Sequence, residues 1–434
     1  MIVLLSFYAS RKEDNHLSKN IEASLGNYFK LPNPGLKSYF GNVVKGQPKI
    51  YDTPFARGET TPELLENWRE ILESIRHDWP TLWDFEEDLA SKVGPLSVML
   101  PLKDRMDDIA HYYDDIHLSS APIHERALKA VISEWSRVRG LNLRSQKVTV
   151  DVMKKSTNSG NPYFTKRRNV IQETVPAHIT IHNFEVIQDL PTGDWESCAV
   201  LGWRGQEGGY SKDDVKQRVV WMFPFGVNVC ELQYYQPFKE SMQRYNLVPA
   251  WVSMDSVDDR ITEMFDSKSD NDLVVCTDFS KFDQHFNRSM QQAAMTIHAA
   301  MLANNSGRDR WLEEVFPVKY MIPLMYNYGK IMTGEHGMGS GSGGTNDDET
   351  AAHRALQYEA AILNNARLNP TSQCLGDDGV LTYPGITVEQ VVKAYTAHGQ
   401  EMNETKQYAS TQDCVYLRRW HHKNYRQNGK CIVE

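Results

Sequence analysis

The sequence predicts an α+β fold in which helices back one face of an antiparallel sheet and acidic side chains stand at the strand tips. Three observations carry this expectation. A short apolar strand, Leu273–Thr277, runs straight into Asp278. A Gly376-Asp377-Asp378 apex has strand-forming residues on both sides. Helix-patterned stretches separate these elements.

Taken in order, Ile2–Ala9 is apolar but has no basic stretch before it and is too short to span a bilayer. It is expected to be a buried or frayed terminus, not a signal peptide. Residues 62–116 read as helical, with Pro62 near the start and Leu65, Trp68, Ile71, Leu72 and Ile75 at helical spacing. The middle of the chain is mixed. Beyond 271 the pattern becomes regular. A strand ending at Asp278 is followed by a helix over about 285–304, then a glycine-rich turn at 334–344. A helix from Asn346 to about Asn364 leads into a hairpin centred on Gly376-Asp-Asp378, and another helix spans about Val388–His398. A strand pair near 414–421 and 430–433 should close the order, joined by a loop holding the turn signal Asn428-Gly429.

The chain has 434 residues, 41% of them hydrophobic, enough for a large core and two or three domains. No internal repeat, low-complexity tract or long linker breaks it, so domains should be interleaved. Six cysteines without a C-x-x-C pair argue against a zinc ribbon and a disulfide framework, and fit a reducing compartment. A net charge of −9 excludes a surface that is basic throughout. Between Arg137 and Arg168, however, nine basic residues are opposed only by Asp151. That run suits a phosphate-lined groove and equally a solvated face.

The chemistry lies in the acids. Gly376-Asp-Asp378 reads as a tight hairpin presenting carboxylates, although Asp and Gly are also ordinary turn residues. Asp278 ends its strand and Asp283 follows five residues later, where it would otherwise be a helix N-cap. Carboxylates from separate backbone segments, such as Asp278 and Asp377, are what a pair of divalent ions needs. Oxygen ligands favour Mg²⁺, with Mn²⁺ as a substitute. Gly339-Ser-Gly-Ser-Gly-Gly-Thr345 allows close backbone approach to a nucleotide or template. Thr345 with Asp348 also matches a capping box. The loop lacks the Gly-Lys-Ser/Thr ending of a phosphate-binding NTPase loop.

In this order, Asp278-x4-Asp283, Ser340-Gly341-x3-Thr345 and Gly376-Asp-Asp378 resemble palm motifs A, B and C of viral RNA-dependent RNA polymerases. The strings DFSKFDQHFN, SGSGGTNDDET, CLGDDGVLTY, CVYLRRWHH and LPNPGLKSYF are most similar to the picobirnavirus members, and the resemblance spans roughly residues 30–430.

The resemblance implies a right-hand fold with fingers, palm and thumb. An N-terminal extension would cover 1–60, fingers 61–270, palm 271–300 and 335–412, and an insertion 301–334. A motif E hairpin and the start of a truncated thumb would cover 413–434, because family members normally continue further. It implies RNA-directed synthesis of RNA from NTPs by two Mg²⁺ ions, for the replication and transcription of a double-stranded RNA virus. Asp278, Asp377 and Asp378 would be the metal ligands, with Lys406 in the motif D position as general acid. Asp283, Ser340, Gly341 and Thr345 would read the nucleotide. The residue four beyond Thr345 is Glu349 where many relatives have Asn, so either Glu349 or Asn346 would partner Asp283.

Lys216 and Arg218, two apart on a motif F-like strand, would share a face and meet the triphosphate with Arg204. Ser159, Gly160, Pro162, Lys166, Arg167 and Arg168 match a template-entry motif G, though its turn residues also suit an ordinary loop. Arg418 and Arg419 match the primer-gripping motif E. His421-His422, without spaced partners, reads as a surface pair and not as metal ligands. The implied partners are template and nascent RNA, NTPs and capsid protein, in the virion interior or host cytoplasm, with no membrane association and no obligate oligomer. The rivals are a reverse transcriptase, disfavoured by Leu375-Gly376 before the paired acids, and a non-catalytic RNA-binding or capsid-associated relative, disfavoured by the intact acids.

Overall fold

A computed structural model describes residues 17–41, 56–92, 100–206 and 216–432. The apolar Ile2–Ala9 stretch and Val433 lie outside the described residues. The predicted α+β character is observed.

The helices that matter here are α1 (Thr61–Ile75), α2 (Pro80–Ala90), α3 (Glu125–Glu134), α4 (Phe225–Arg244), α5 (Met254–Ser267), α6 (Arg288–Met301), α7 (Thr345–Leu363) and α8 (Val388–Thr396). The strands are β1 (Leu17–Asn20), β2 (His178–His182), β3 (Glu185–Leu190), β4 (Gly193–Glu196), β5 (Ala199–Gln206), β6 (Lys216–Met222), β7 (Val274–Thr277), β8 (Leu324–Asn327) and β9 (Lys330–Thr333). Then follow β10 (Gln373–Leu375), β11 (Asp378–Leu381), β12 (Tyr408–Ser410), β13 (Asp413–Tyr416) and β14 (Arg419–His422).

One sheet is antiparallel, in the order β10-β11-β7-β12. A mixed sheet runs β1-β9-β8-β5-β6, and β2-β3-β4 form a meander. Every residue of β7 is buried, as expected for a central strand covered on both faces. The alanines of α7 at 351, 352, 355, 360 and 361 are all buried. Their small side chains let α3, α6 and α8 close around α7, with β10 alongside.

The N-terminal helices start as the sequence indicates. Thr60 caps α1 in a reciprocal capping box with Glu63, and Pro62 sits in its first turn. α1 packs on α2, and the start of α2 docks on the β13–β14 hairpin. Trp79 makes edge contacts with Trp420, His422 and Tyr425, and the Trp420 indole donates to Thr81 Oγ1 at 3.0 Å.

The end of the chain differs from expectation. Residues 413–422 are not one strand but a hairpin turning at Leu417-Arg418, both at positive φ (+54° and +58°). Asn428-Gly429 turns a second, two-residue-deep hairpin. Leu and Arg give no turn signal, and the conformation is held by a tertiary bond, the Leu417 N–H donating to Asp378 Oδ2 at 2.8 Å.

Two capping expectations also fail. The cap of α6 is Asn287, whose side chain accepts from the N–H groups of Ser289 and Met290, and not Asp283. Gly344, not Thr345, precedes α7, and Asp348 is buried in a core cluster with Lys319, Tyr235 and Tyr320. All six cysteines are buried and free. No described helix is long and apolar enough to cross a membrane.

Candidate active site

The antiparallel register assembles the acids. Thr277 pairs with Gly379, so one step further Asp278 lies across from Asp378. Leu375 pairs with Asp378, which leaves Gly376-Asp377 as a two-residue turn with glycine at φ +57° in the first position. Three carboxylates from two strand ends therefore share one edge. Burial raises the Asp278 carboxyl, while Lys406 and Lys92 pull it down. Burial and Asp283 raise Asp377, with Arg218 opposing. Asp378 is pushed up to about 7, chiefly by burial and then by Asp377 and Asp278, against the opposing Leu417 N–H.

Neighbouring elements grip the backbone of these acids. The Gly376 N–H donates to Thr350 Oγ1 at 2.9 Å, and the Gly376 carbonyl accepts from His353 Nδ1 at 2.8 Å. Both grips come from α7. The same imidazole crowds Gly379, where a Cβ would lie 2.6 Å from its Cε1. On the other strand, Gln407 Oε1 accepts from the Asp278 N–H at 2.8 Å and its Nε2 donates to the Asp278 carbonyl at 2.9 Å. Lys406 is exposed in the turn Glu404–Lys406 immediately before that glutamine.

The Gly339–Thr345 loop passes against β6. A Cβ on Gly341 would fall 1.5 Å from the Trp221 carbonyl oxygen, so only glycine fits there. Ser340 Oγ donates to the Val219 carbonyl at 3.3 Å. The Thr345 hydroxyl turns back to the carbonyls of Gly339 and Ser342 at 3.2 and 3.3 Å, bracing the loop instead of capping a helix. Just before the loop, Gly337 presses on Asp283: a Cβ there would meet the Asp283 carbonyl at 2.4 Å.

Burial first, and then the neighbouring Asp283 and Asp377, push the Glu349 carboxyl well above the usual carboxylate range. Asn346 Oδ1 instead accepts from the Trp251 indole at 2.8 Å. Of the two residues expected as the partner of Asp283, Glu349 is the one whose carboxyl Asp283 acts on, and Asn346 is engaged by Trp251 through its Oδ1. Both still border the turn, since a Cβ on Gly376 would lie 3.3 Å from Glu349 Oε2 and 3.4 Å from Asn346 Nδ2.

β6 is a strand, as expected, and Arg204 pairs directly with Arg218 across β5–β6. Like charges facing each other in a ladder are unfavourable without an anion or acid nearby, and Arg218 does act on Asp377. Lys216 opens the same strand, its backbone paired with Gln206.

The basic loop divides. Lys166 and Arg168 are exposed. Ser159, Gly160, Pro162 and Arg167 turn inward, a correction to the expectation that they line the RNA path. Ser159 is 1% exposed and accepts from the Thr165 N–H at 3.1 Å. A Cβ on Gly160 would meet the Phe223 carbonyl at 2.7 Å, and Pro162 is buried. Arg167 donates to Asn228 Oδ1 at 2.7 Å.

Likewise Arg418 is exposed at the hairpin tip, whereas Arg419 pairs with Asp258 at 3.4 Å. His421 is fully buried with Nε2 2.7 Å from the same Asp258, so the surface reading is corrected for that histidine, while His422 stays partly exposed. Sequence reasoning also missed Gln407, Thr350 and His353. Each acts on a backbone amide, and such contacts carry no residue-type signature; only their placement beside the motifs hinted at a role.

Among the described residues no three acidic, histidine or cysteine side chains form a ready-made metal cage. The donor set nevertheless fits Mg²⁺, which is held by one or two carboxylates with substrate phosphates and water completing the shell. Asp278, Asp377 and Asp378, all raised by burial and the last two also by neighbouring acids, are hard oxygen donors whose clustered charge a divalent ion would relieve.

Comparison with known proteins agrees with this arrangement. The family model described as viral RNA-dependent RNA polymerase matches residues 101–431. The "Potential RNA-dependent RNA polymerase" of human picobirnavirus (strain Human/Thailand/Hy005102/-) is 58% identical over 405 residues, which is 93% of this chain and 76% of that protein. The crystal structure of a human picobirnavirus RNA-dependent RNA polymerase superposes with a TM-score of 0.91 at 57% identity, covering 94% of this chain and 78% of that one. Its insertion-loop deletion mutant gives the same TM-score and identity, with 80% of that chain covered. The chain belongs to the viral RNA-dependent RNA polymerases.

Proposed function

We propose that the carboxylate edge at β7 and β11 performs template-directed nucleotidyl transfer from an NTP to an RNA 3′-hydroxyl, with two divalent ions held by Asp278 and Asp377 and assisted by Asp378. The observation that carries this reading is the register placing Asp278 across from Asp378, with Asp377 at the adjoining turn. When bound, Mg²⁺ or Mn²⁺ would neutralise the triphosphate and lower the pKa of the attacking hydroxyl. In the right-hand arrangement the β10-β11-β7-β12 sheet is the palm and the β5–β6 region belongs to the fingers.

The chain's own groups do the positioning that dominates phosphoryl transfer. Arg218, with Arg204 beside it and Lys216 on the same strand, holds the triphosphate. Arg218 is the best supported, because it already faces the acid cluster. Glu349 and Asp283 together meet the ribose 2′-hydroxyl: a protonated Glu349 donates where a carboxylate could only accept. Ser340, Gly341 and Thr345 shape the surface under the sugar. Lys406, near Asp278, protonates the pyrophosphate leaving group. Lys166 and Arg168 bind template phosphates, and Arg418 binds the primer strand.

We propose as well that the protein replicates and transcribes a double-stranded RNA genome, within the virion or host cytoplasm and beside capsid protein. The biochemical test is extension of a primed RNA template with labelled nucleotides. Extension that requires a divalent ion and prefers NTP to dNTP supports the reading. Extension without any divalent ion, or equal use of dNTP, contradicts it.

A further inference from the structure

One face of α4 seats the glycine-rich loop. Asn228, Glu231, Leu232 and Tyr235 follow the helical spacing that aligns side chains on one side. Each meets the loop. A Cβ on Gly343 would lie 3.1 Å from Leu232, and one on Gly344 would strike the Tyr235 ring at 2.2 Å. Glu231, with no exposed surface, accepts from the Ser342 hydroxyl and from the Gly343 N–H at 3.1 Å. Asn228 Nδ2 donates to Glu231 at 3.0 Å and reaches toward the Gly341 carbonyl at 3.5 Å.

The same turn of α4 faces the basic loop. Arg167 donates to Asn228 Oδ1 at 2.7 Å, and its guanidinium lies over the Phe225 ring. The Phe225 N–H donates to the Ser159 carbonyl at 2.8 Å. Arg167 stands between the exposed Lys166 and Arg168, so a shift of that loop moves the guanidinium directly. A continuous path therefore runs from Arg167 through Asn228 and Glu231 to Ser342-Gly343. Every side chain on it is engaged by a named hydrogen bond.

We propose that Arg167, Asn228 and Glu231 are positioning residues that fix the Gly339–Thr345 loop against the basic loop, so that nucleotide selection depends on how the template-side loop is held. The proposal rests on the reading of that loop as the sugar-facing surface. Packing alone would use an apolar side chain at 231. A buried carboxylate meeting three donors instead specifies one loop conformation, since each loop N–H and hydroxyl has a single acceptor to find.

The test is single-nucleotide extension on primed RNA, with kcat and KM measured for NTP and for dNTP and melting temperatures recorded alongside. The proteins compared are the full chain, Arg167→Ala, Asn228→Ala, Glu231→Leu and Glu231→Gln. Arg167→Ala, Asn228→Ala and Glu231→Leu should each lower the preference for NTP over dNTP about tenfold, as expected for a small displacement of a positioned group. Glu231→Gln should retain the preference, because its amide oxygen still accepts from Gly343. Should Glu231→Leu fail to fold, Asn228→Ala decides. Folded Arg167→Ala and Asn228→Ala proteins with unchanged preference would overturn the proposal. Asp377→Asn in the same assay separates the two levels: if it extends normally, the site reading fails and the proposal falls with it.

Discussion

Gln407 holds the peptide groups on both sides of Asp278, accepting from its N–H at 2.8 Å and donating to its carbonyl at 2.9 Å. A single amide thus fixes the backbone of one proposed metal ligand, and it directly follows Lys406, the proposed proton donor. Distances at a phosphoryl-transfer centre must hold to within a fraction of an ångström, which explains why a side chain that touches no substrate would matter. Replacing Gln407 with Ala should lower kcat about a hundredfold, with the melting temperature little changed. Pre-steady-state extension would read this. A variant as fast as the parent would remove Gln407 from the positioning set.

Glu349 is expected to set sugar choice. Glu349→Gln keeps a donor toward Asp283 and should keep the preference for NTP. Glu349→Ala leaves Asp283 without its partner and should cost about 1–3 kcal/mol of discrimination, roughly five- to hundredfold in relative kcat/KM. Competition between NTP and dNTP on one primed template measures this. Equal discrimination in the Gln and Ala variants would assign the role elsewhere, with Asn346 the next candidate.

The acid cluster has a pH signature. Asp378 titrates near 7 in the folded protein, above the ordinary carboxylate value, and Asp278 and Asp377 shift the same way. The folded state therefore binds these protons more tightly than the unfolded chain. Their contribution to stability is fully present at pH below the ordinary carboxylate range and is lost as pH rises, for Asp378 through about 7. Thermal melts without divalent ions should show this loss, and Asp378→Asn should flatten it. Added Mg²⁺ should restore stability most at the alkaline end, where the ligands are ionised. A Mg²⁺ effect strongest at acid pH would contradict the assignment.

Trp420 should be the structural hinge between the N-terminal helices and the acidic edge. It is fully buried, meets Trp79 edge-on and bonds Thr81 and Asp413, while Leu417 in the same hairpin holds Asp378. Trp420→Ala should cost about 3–5 kcal/mol of stability. Trp79→Ala should cost less but should loosen α1 and α2, visible as faster amide exchange over 61–90. Unchanged exchange there would mean that the docking depends on other contacts.

The strands that carry the acid cluster were legible from sequence because their signals are local. The apolar β7, the Gly376 turn and the Ala-rich α7 each combine periodicity with a residue type that physics restricts to that role. The hairpin at Leu417-Arg418 was not legible, since its positive φ angles are imposed by a bond to Asp378 from a strand some forty residues earlier. The inward turn of Arg167 and the burial of His421 were hidden for a related reason. A charged or polar side chain looks solvent-bound until the fold supplies Asn228 or Asp258 as its partner. The choice between Asn346 and Glu349 was likewise open in sequence. Only the fold brings Trp251 to Asn346 Oδ1 and buries Glu349 beside Asp283.

The most direct test of the whole account is single-turnover extension of a primed RNA template by the parent chain and by Asp377→Asn, at matched folding and with Mg²⁺ or Mn²⁺ present. The account predicts that the parent extends and that the variant, folded and with the same RNA affinity, does not. Extension by Asp377→Asn at the parent's rate would show that the carboxylate edge is not where nucleotide transfer occurs.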